Sequence, residues 1–243
     1  MHSNADTLLA QHPDIETVEA LITDCNGAAR GKWLPIEKLP TLLTDGIKLP
    51  KSAVAQDAWG RDVPRVALDN GDLDGWCQAV PDSLVPVLTG TGVGRAQVVL
   101  TMFKDDGTPL LSDPRQVLAQ IVDKLGKKGF VPRVAIELEF NLFKRPDENQ
   151  TLRDALPAEN ETGGNLYGLS SLDEHATLFE ALKASFAVQG LPYEGVLKEA
   201  APAQYEINVA YPDDAVGYCD QIIRMQRCIR AVAERFGALA SFM

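Results

Sequence analysis

Val134-Ala135-Ile136-Glu137-Leu138-Glu139-Phe140 and Glu199-Ala200-Ala201-Pro202-Ala203-Gln204-Tyr205-Glu206-Ile207-Asn208 are the two stretches on which the reading of this chain turns. Each sets carboxylates within or beside a run of large apolar residues that reads as a β-strand. Side chains along a strand alternate between faces, so Glu137 and Glu139 are predicted to point the same way, with Ile136, Leu138, Phe140 and Leu142 turned to a core. Gln204, Glu206 and Asn208 share a face of the second stretch, backed by Tyr205, Ile207 and Val209. Acids on a water-facing strand are ordinarily mixed with Lys, Thr and Ser. Like charges held close together raise one another's pKa unless a cation lies among them. A divalent metal resolves that conflict, and carboxylate ligands favour Mg2+ or Mn2+ over softer ions.

The 243 residues are enough to bury a substantial core in one large or two small domains. A hydrophobic content of 45% and a charged content of 23% are ordinary for a globular protein in water. The net charge of −11 argues against nucleic acid or an anionic membrane as partner, because binding phosphate needs clustered Lys and Arg. No uninterrupted apolar stretch approaches a membrane span. Met1-His2-Ser3-Asn4-Ala5-Asp6 lacks the charged-then-apolar pattern of a secretion signal, so a cytoplasmic location is the default expectation. The four cysteines (Cys25, Cys77, Cys219, Cys228) match no C-x-x-C or zinc spacing, and with only three histidines a zinc site is not expected. The thiols read as reduced and structural.

Residues 1–13 read as a lead-in that begins a short helix. Thr17–Thr23 and Ala29–Leu34 are β-rich runs flanking Asp24-Cys25-Asn26-Gly27, which predicts a hairpin because Asn-Gly readily supplies positive φ. A short helix is expected over Pro35–Leu43, loops with short strands over 50–88, and a strand over Ala96–Phe103. Near Ser112 the texture changes. Asp113 is a good helix cap, Pro114 suits the first helical position, and Val117, Leu118, Ile121, Val122 and Leu125 recur at helical spacing, ending at Gly126 or Gly129. Lys144–Asn165, rich in charge and poor in large apolar residues, predicts a long loop. Ser171-Leu172-Asp173-Glu174 fits a capping box, opening a helix that stops near Gly190, with His175 exposed in its first turn. Asp213 or Asp214 caps a last helix that ends near Gly237, and a strand-like run follows. Gly90-Thr91-Gly92-Val93-Gly94 lacks the Gly-Lys-Ser/Thr ending of a phosphate loop and reads as linker. Trp33, Trp59 and Trp76 read as core or interface residues, and Arg30 and Lys32 as hairpin surface charges. A sheet interrupted by helices, with hairpins at the front, predicts an α+β fold with a boundary around residues 105–113.

These motifs together resemble the glutamine synthetase family, most closely its γ-glutamylpolyamine (γ-glutamylputrescine) synthetase branch. Thr23-Asp24-Cys25-Asn26-Gly27 with Arg30-Gly31-Lys32 is similar to a hairpin of the family's small N-terminal β-grasp domain. Ala135–Phe143 resembles its metal-binding E-x-E strand. Glu199–Asn208 resembles its E-x-x-P-G-Q-x-E-I-N segment, and Ser241-Phe242-Met243 the run before a Lys-Pro pair. The resemblance implies a β-grasp domain over 14–108 and the first portion of a catalytic α+β domain over 109–243. It implies an ATP-dependent ligase that joins the γ-carboxylate of glutamate to an amine, a polyamine such as putrescine, through a γ-glutamyl phosphate.

Carried over residue by residue, the resemblance makes Glu139, Glu199 and Glu206 ligands of one metal. It makes Glu137 a ligand of a second metal nearer the nucleotide phosphates, so a complete site holds two Mg2+ or Mn2+ ions, with ATP as cosubstrate. Tyr167 matches a tyrosine beside the amine site, and Asp57 an acid that reaches a neighbouring subunit's amine site. Glu199 or Asp57 then serves to attract the ammonium and accept its proton. By residue type alone, Asp57 reads as a turn acid before Gly60 and Tyr167 as a packed loop aromatic. The family forms ring-shaped homo-oligomers with active sites between subunits.

Two departures stand out. Ala203 occupies a family glycine position, which costs strain if the backbone there has φ > 0. Family members are also roughly twice as long, and their second half supplies a histidine ligand, a further carboxylate and phosphate-binding arginines. The expectation is therefore of a chain that corresponds to the N-terminal part only and is inactive by itself. Two alternatives stay open: a glutamine synthetase that uses ammonia, and a truncated, non-catalytic regulatory or interaction module.

Overall fold

A computed structural model describes residues 2–64, 71–89, 92–145 and 165–242. The chain forms two compact units, Met1–Pro132 and Arg133–Met243.

The first unit contains α1 (His2–Gln11), β1 (Thr17–Thr23), β2 (Ala29–Pro35), α2 (Leu39–Thr44), β3 (Ile47–Pro50), β4 (Asp74–Ala79), β5 (Val85–Thr89), β6 (Gly92–Phe103) and α3 (Pro114–Gly126). Its sheet runs β2-β1-β6-β4-β3, with β5 also paired to β6. β1 and β6 are parallel, and every other pair is antiparallel. Alternation puts Val18, Ala20 and Ile22 of β1 on the same face as Ala96, Val98, Leu100 and Met102 of β6, where Leu8, Leu39 and Leu42 complete the core.

The β1–β2 turn is built by one buried acid. Asp24 Oδ1 accepts the Asn26 and Ala28 N–H groups at 2.9 Å each, and Oδ2 accepts Arg30 Nε at 2.9 Å. Arg30 is therefore a partner of a buried carboxylate, not the free surface charge expected of it. On the same hairpin, Gly31 has φ +142°, and a Cβ there would overlap the Ala20 carbonyl oxygen across the ladder. Asp113 caps α3 through Arg115 N at 2.9 Å, as its sequence position predicts. Its other oxygen accepts Thr101 Oγ1 at 3.1 Å and Met102 N at 2.8 Å. That tether belongs to β6, so the compact unit extends beyond the change of texture at Ser112.

The second unit contains β7 (Leu138–Lys144), α4 (Leu169–Glu174), α5 (Ala176–Val188), β8 (Gly195–Lys198), β9 (Gln204–Asn208), α6 (Ala215–Arg235) and β10 (Ala238–Ser241). The sheet runs β10-β7-β9-β8 and is antiparallel throughout. Leu138, Phe140, Leu142, Tyr205 and Ile207 form its buried face, covered by Phe179, Leu182 and Phe186 of α5 and by Tyr218, Ile222, Met225 and Ile229 of α6. Asp214 caps α6 through Gly217 N at 3.0 Å.

Several expectations need correction. The helix near Ser171 does not open on that residue: α4 begins at Leu169 with Gly168 as cap, and the chain breaks at His175 before α5. His175 is half-buried and meets the Tyr205 ring edge-on at 5.9 Å. Of the core and interface alternatives for the tryptophans, the core is excluded for Trp33 and Trp59, which are 63% and 79% exposed, each beside an arginine (Arg95 at 4.3 Å, Arg61 at 5.6 Å). Aromatic faces attract guanidinium groups at the surface, which supplies a contact without burial. The predicted loop at 144–165 falls mostly outside the described residues, as do Gly90 and Thr91. All four cysteines are free, and burial pushes the Cys77 and Cys228 thiols up to about 12. No helix among the described residues is long and apolar enough to cross a membrane.

Gly31→Ala is expected to cost about 3 kcal/mol, because it combines a disfavoured φ with a backbone clash. A urea unfolding curve superimposable on that of the unsubstituted chain would show that the hairpin tolerates a side chain there.

Candidate metal centre

The pairing of β7 with β9 fixes the site. Its register sets Leu138 against Ile207, Glu139 against Glu206 and Phe140 against Tyr205. The apolar pairs go to the core, so the two acids are driven to the opposite face, side by side. Like charges directly across a ladder are destabilising by themselves. β8 pairs Leu197 with Glu206, and Glu199, two residues further on, returns to the same face. Among the described residues, Glu139, Glu199 and Glu206 form the one group of three metal-capable side chains, each with a carboxylate oxygen within 4.8 Å of the others. All three are half-buried.

The segment between β8 and β9 folds back sharply. Glu199 N donates to Gln204 O at 2.9 Å, and Gln204 N to Ala201 O at 3.1 Å. The turn requires positive φ at Ala203, +53°, and that residue is fully buried. The strain expected from the replacement of glycine is thus present. Its methyl group is packed in the core, which offsets part of the cost of a left-handed backbone for an L-residue.

Polar neighbours hold the acids. Gln204 donates through Nε2 to Glu139 Oε2 at 2.7 Å and accepts Ala201 N through Oε1 at 3.1 Å. Asn208 Nδ2 donates to Glu206 Oε1 at 2.9 Å. The Glu206 carboxyl titrates above the usual carboxylate range. Partial burial contributes most, followed by the charges of Glu199 and Glu137, a hydrogen bond with Glu199, and the charge of Glu139.

The remaining sequence-predicted residues are placed as follows. Glu137 lies one residue before β7 and is exposed; it is outside the group of three, although its charge is felt at Glu206. Tyr167 is exposed, at φ +60°, and its N–H donates to Lys198 O at 2.9 Å, so its turn is fastened to the residue before Glu199. Asp57 belongs to the first unit. Its Oδ1 accepts the Trp59 and Arg61 N–H groups at 2.9 Å each, the turn arrangement that its residue type predicts. Sequence reasoning singled out no role for Lys198, which is fully buried behind Glu199. A lysine in a strand-like run carries no signal of burial on its own.

The donor set fits a hard divalent cation. It consists of oxygens only, all within 4.8 Å of one another, and burial followed by the charges of neighbouring acids already raises the Glu206 carboxyl. Glu139, Glu199 and Glu206 would hold the ion, which when bound would supply charge neutralisation and alignment of bound oxygen groups.

Comparison with known proteins agrees with this chemistry. Residues 111–243 match the family model described as glutamine synthetase, catalytic domain. The chain belongs to that family. It is 32% identical over 241 residues to the γ-glutamylputrescine synthetase PuuA of Escherichia coli K12, covering 97% of this chain and 51% of the relative. It is 30% identical over 226 residues to the glutamine synthetase of Pyrococcus abyssi, covering 93% of this chain and 46% of the relative. The chain thus spans about half the length of the curated relatives it matches. Among solved structures, ligand-free GmaS superposes on all of this chain and 53% of its own with a TM-score of 0.81 at 21% identity, a likeness of fold.

Glu206 carries a proton more readily than a free carboxyl, and a bound cation must displace it. Mn2+ binding is therefore expected to release protons, and affinity to weaken as pH falls through the raised Glu206 range. Calorimetric titrations in buffers of different ionisation heat read this directly; proton-free binding whose affinity does not change as the solution is acidified would contradict it.

Proposed function

We propose that this chain carries part of an ATP-dependent ligase that joins the γ-carboxylate of glutamate to an organic amine, a polyamine such as putrescine, through a γ-glutamyl phosphate. The convergence of Glu139, Glu199 and Glu206 from three separate segments carries the reading. Family membership narrows the chemistry to the glutamine synthetase type, and the similarity to a γ-glutamylputrescine synthetase along nearly the whole chain favours an organic amine.

In this reading Glu139, Glu199 and Glu206 hold one Mg2+ or Mn2+ at the substrate carboxylate, and Glu137 contributes to a second near the phosphates. The protein's task in the first step is to bind and align, because phosphoryl transfer is catalysed chiefly by positioning and charge stabilisation. In the second step a carboxylate near the amine draws in the ammonium form and accepts a proton, a role for Glu199 or for Asp57. Tyr167 stands beside the amine. The organisation proposed is a β-grasp domain over 14–108 and catalytic-domain residues over 109–243, in a homo-oligomer with sites between subunits and a cytoplasmic location. One observation favours a second reading in which ammonia is the amine: identity to the Pyrococcus abyssi glutamine synthetase is almost as high.

Two measurements test the proposal. Mn2+ binding by the chain, followed by electron paramagnetic resonance, is expected to be lost in Glu139→Gln, and unchanged binding would overturn the ligand set. In the native protein purified from its source cells, ATP, glutamate and putrescine are expected to yield phosphate and γ-glutamylputrescine. Exclusive formation of glutamine from ammonium would favour the second reading, and formation of neither product would reject both.

A further inference from the structure

We infer that Lys198 is the positioning residue of the acid group, a buried cation whose side chain folds the 199–203 turn so that the Glu199 carboxylate meets Glu139 and Glu206. The inference rests on the metal-binding reading given above and extends it to a residue that touches none of the ligand oxygens.

Lys198 is the last residue of β8 and is fully buried. Successive strand residues face opposite ways, so Lys198 turns into the core while Glu199 turns to the acid face. In register it lies against Tyr205, also fully buried, and its Nζ is 5.8 Å from the centre of that ring. An ammonium is costly to bury, so a lysine kept at such a position needs its donors used. Nζ donates to Glu199 O at 2.6 Å and to Ala201 O at 2.7 Å. These two carbonyls belong to the turn itself.

The geometry follows from those bonds. With both carbonyls drawn inward onto one ammonium, the backbone between them is curled around Nζ. The Ala200 N–H shares its peptide plane with the Glu199 carbonyl and points the opposite way, so it is directed to the other side, where it donates to Glu199 Oε2 at 3.1 Å. In the same turn Ala201 N donates to Gln204 Oε1 at 3.1 Å. Gln204 in turn donates to Glu139. One inward cation thus sets the orientation of the peptide that holds the Glu199 carboxylate, and Gln204 joins the same turn to the Glu139 carboxylate. A neutral apolar residue of similar length fills the same core space but takes the ammonium from both carbonyls, leaving Ala201 O with the Gln204 N–H alone and removing the bond that holds Glu199 O. The Lys198 main chain contributes as well, since its carbonyl accepts the Tyr167 N–H at 2.9 Å.

The test compares Lys198→Met, Lys198→Arg and a control of structural cost only, Phe179→Leu, whose ring packs on Tyr205 at 5.0 Å from the opposite element. Two readouts are taken on the 243-residue chain: Mn2+ affinity by electron paramagnetic resonance, and amide hydrogen exchange over 199–206 without metal. Lys198→Met is expected to weaken Mn2+ binding by about tenfold or more, the range typical of residues that orient metal ligands, and to speed exchange across the turn. Lys198→Arg, which keeps a multi-donor cation, is expected to retain most of the affinity. Phe179→Leu is expected to lower thermal stability while leaving affinity unchanged. Equal affinity in Lys198→Met and the unsubstituted chain would overturn the inference, and so would equal losses in Lys198→Met and Phe179→Leu. If the unsubstituted chain binds no Mn2+, the metal reading itself fails. The exchange experiment then decides alone: faster exchange confined to the turn supports positioning by Lys198, and an unchanged pattern rejects it.

Discussion

Electrostatic repulsion between Glu139 and Glu206 is the constraint around which the second unit is organised. The β7–β9 register that buries Leu138, Phe140, Tyr205 and Ile207 forces the two carboxylates to be neighbours. A one-residue slip would separate them, but it would also turn the whole apolar set to water. The gain from burying four large side chains therefore dominates a penalty that in a cross-strand pair is at most about 1 kcal/mol. Hydrophobic burial thus assembles a site that electrostatics alone would disperse, and a divalent cation is the group that reconciles the two.

Around that conflict the structure arranges uncharged donors and one hidden charge. Gln204 and Asn208 offer N–H groups to Glu139 and Glu206 without adding a competing positive side chain to the acid face. Lys198 places its cation on the far side of the sheet, on backbone carbonyls. A lysine directed to the acid face would neutralise the carboxylates and compete with a metal. Set behind the turn, it orders the same segment while leaving the acids available. The left-handed backbone of Ala203 belongs to this turn, so backbone strain and like charges are held side by side.

The first unit follows a related logic on a smaller scale. Asp24 and Asp113 are both fully enclosed acids, and each is satisfied by main-chain N–H groups together with side-chain donors. Asp24 shapes the hairpin and Asp113 fastens α3 to β6. Burial raises the Asp113 carboxyl, while the hydrogen bonds from Met102, Thr101 and Arg115 oppose that shift. Enclosed acids in this chain are thus structural where donors surround them and chemically available where other acids do.

What the sequence determined by itself was local and periodic. Alternation in β7 and β9, the Asn-Gly hairpin, the Asp113-Pro114 and Asp214 caps and the glycine stops each depend on a few neighbouring residues, so they were legible without coordinates. The motif spacing also identified the four acids as a set. The resemblance also grouped Glu139, Glu199 and Glu206 and set Glu137 apart, whereas the strand registers that bring those three within reach of one another are tertiary. Only the tertiary structure set Glu137 just outside β7, which begins at Leu138 and not at the Ile136 of the apolar pattern. It alone made Arg30 the partner of Asp24, broke the helix at His175 rather than opening it at Ser171, and hid Lys198 beneath the turn. Each of those outcomes depends on what a side chain finds across space. A one-dimensional pattern records which residues can be buried or charged, but not which partner will be there to satisfy them.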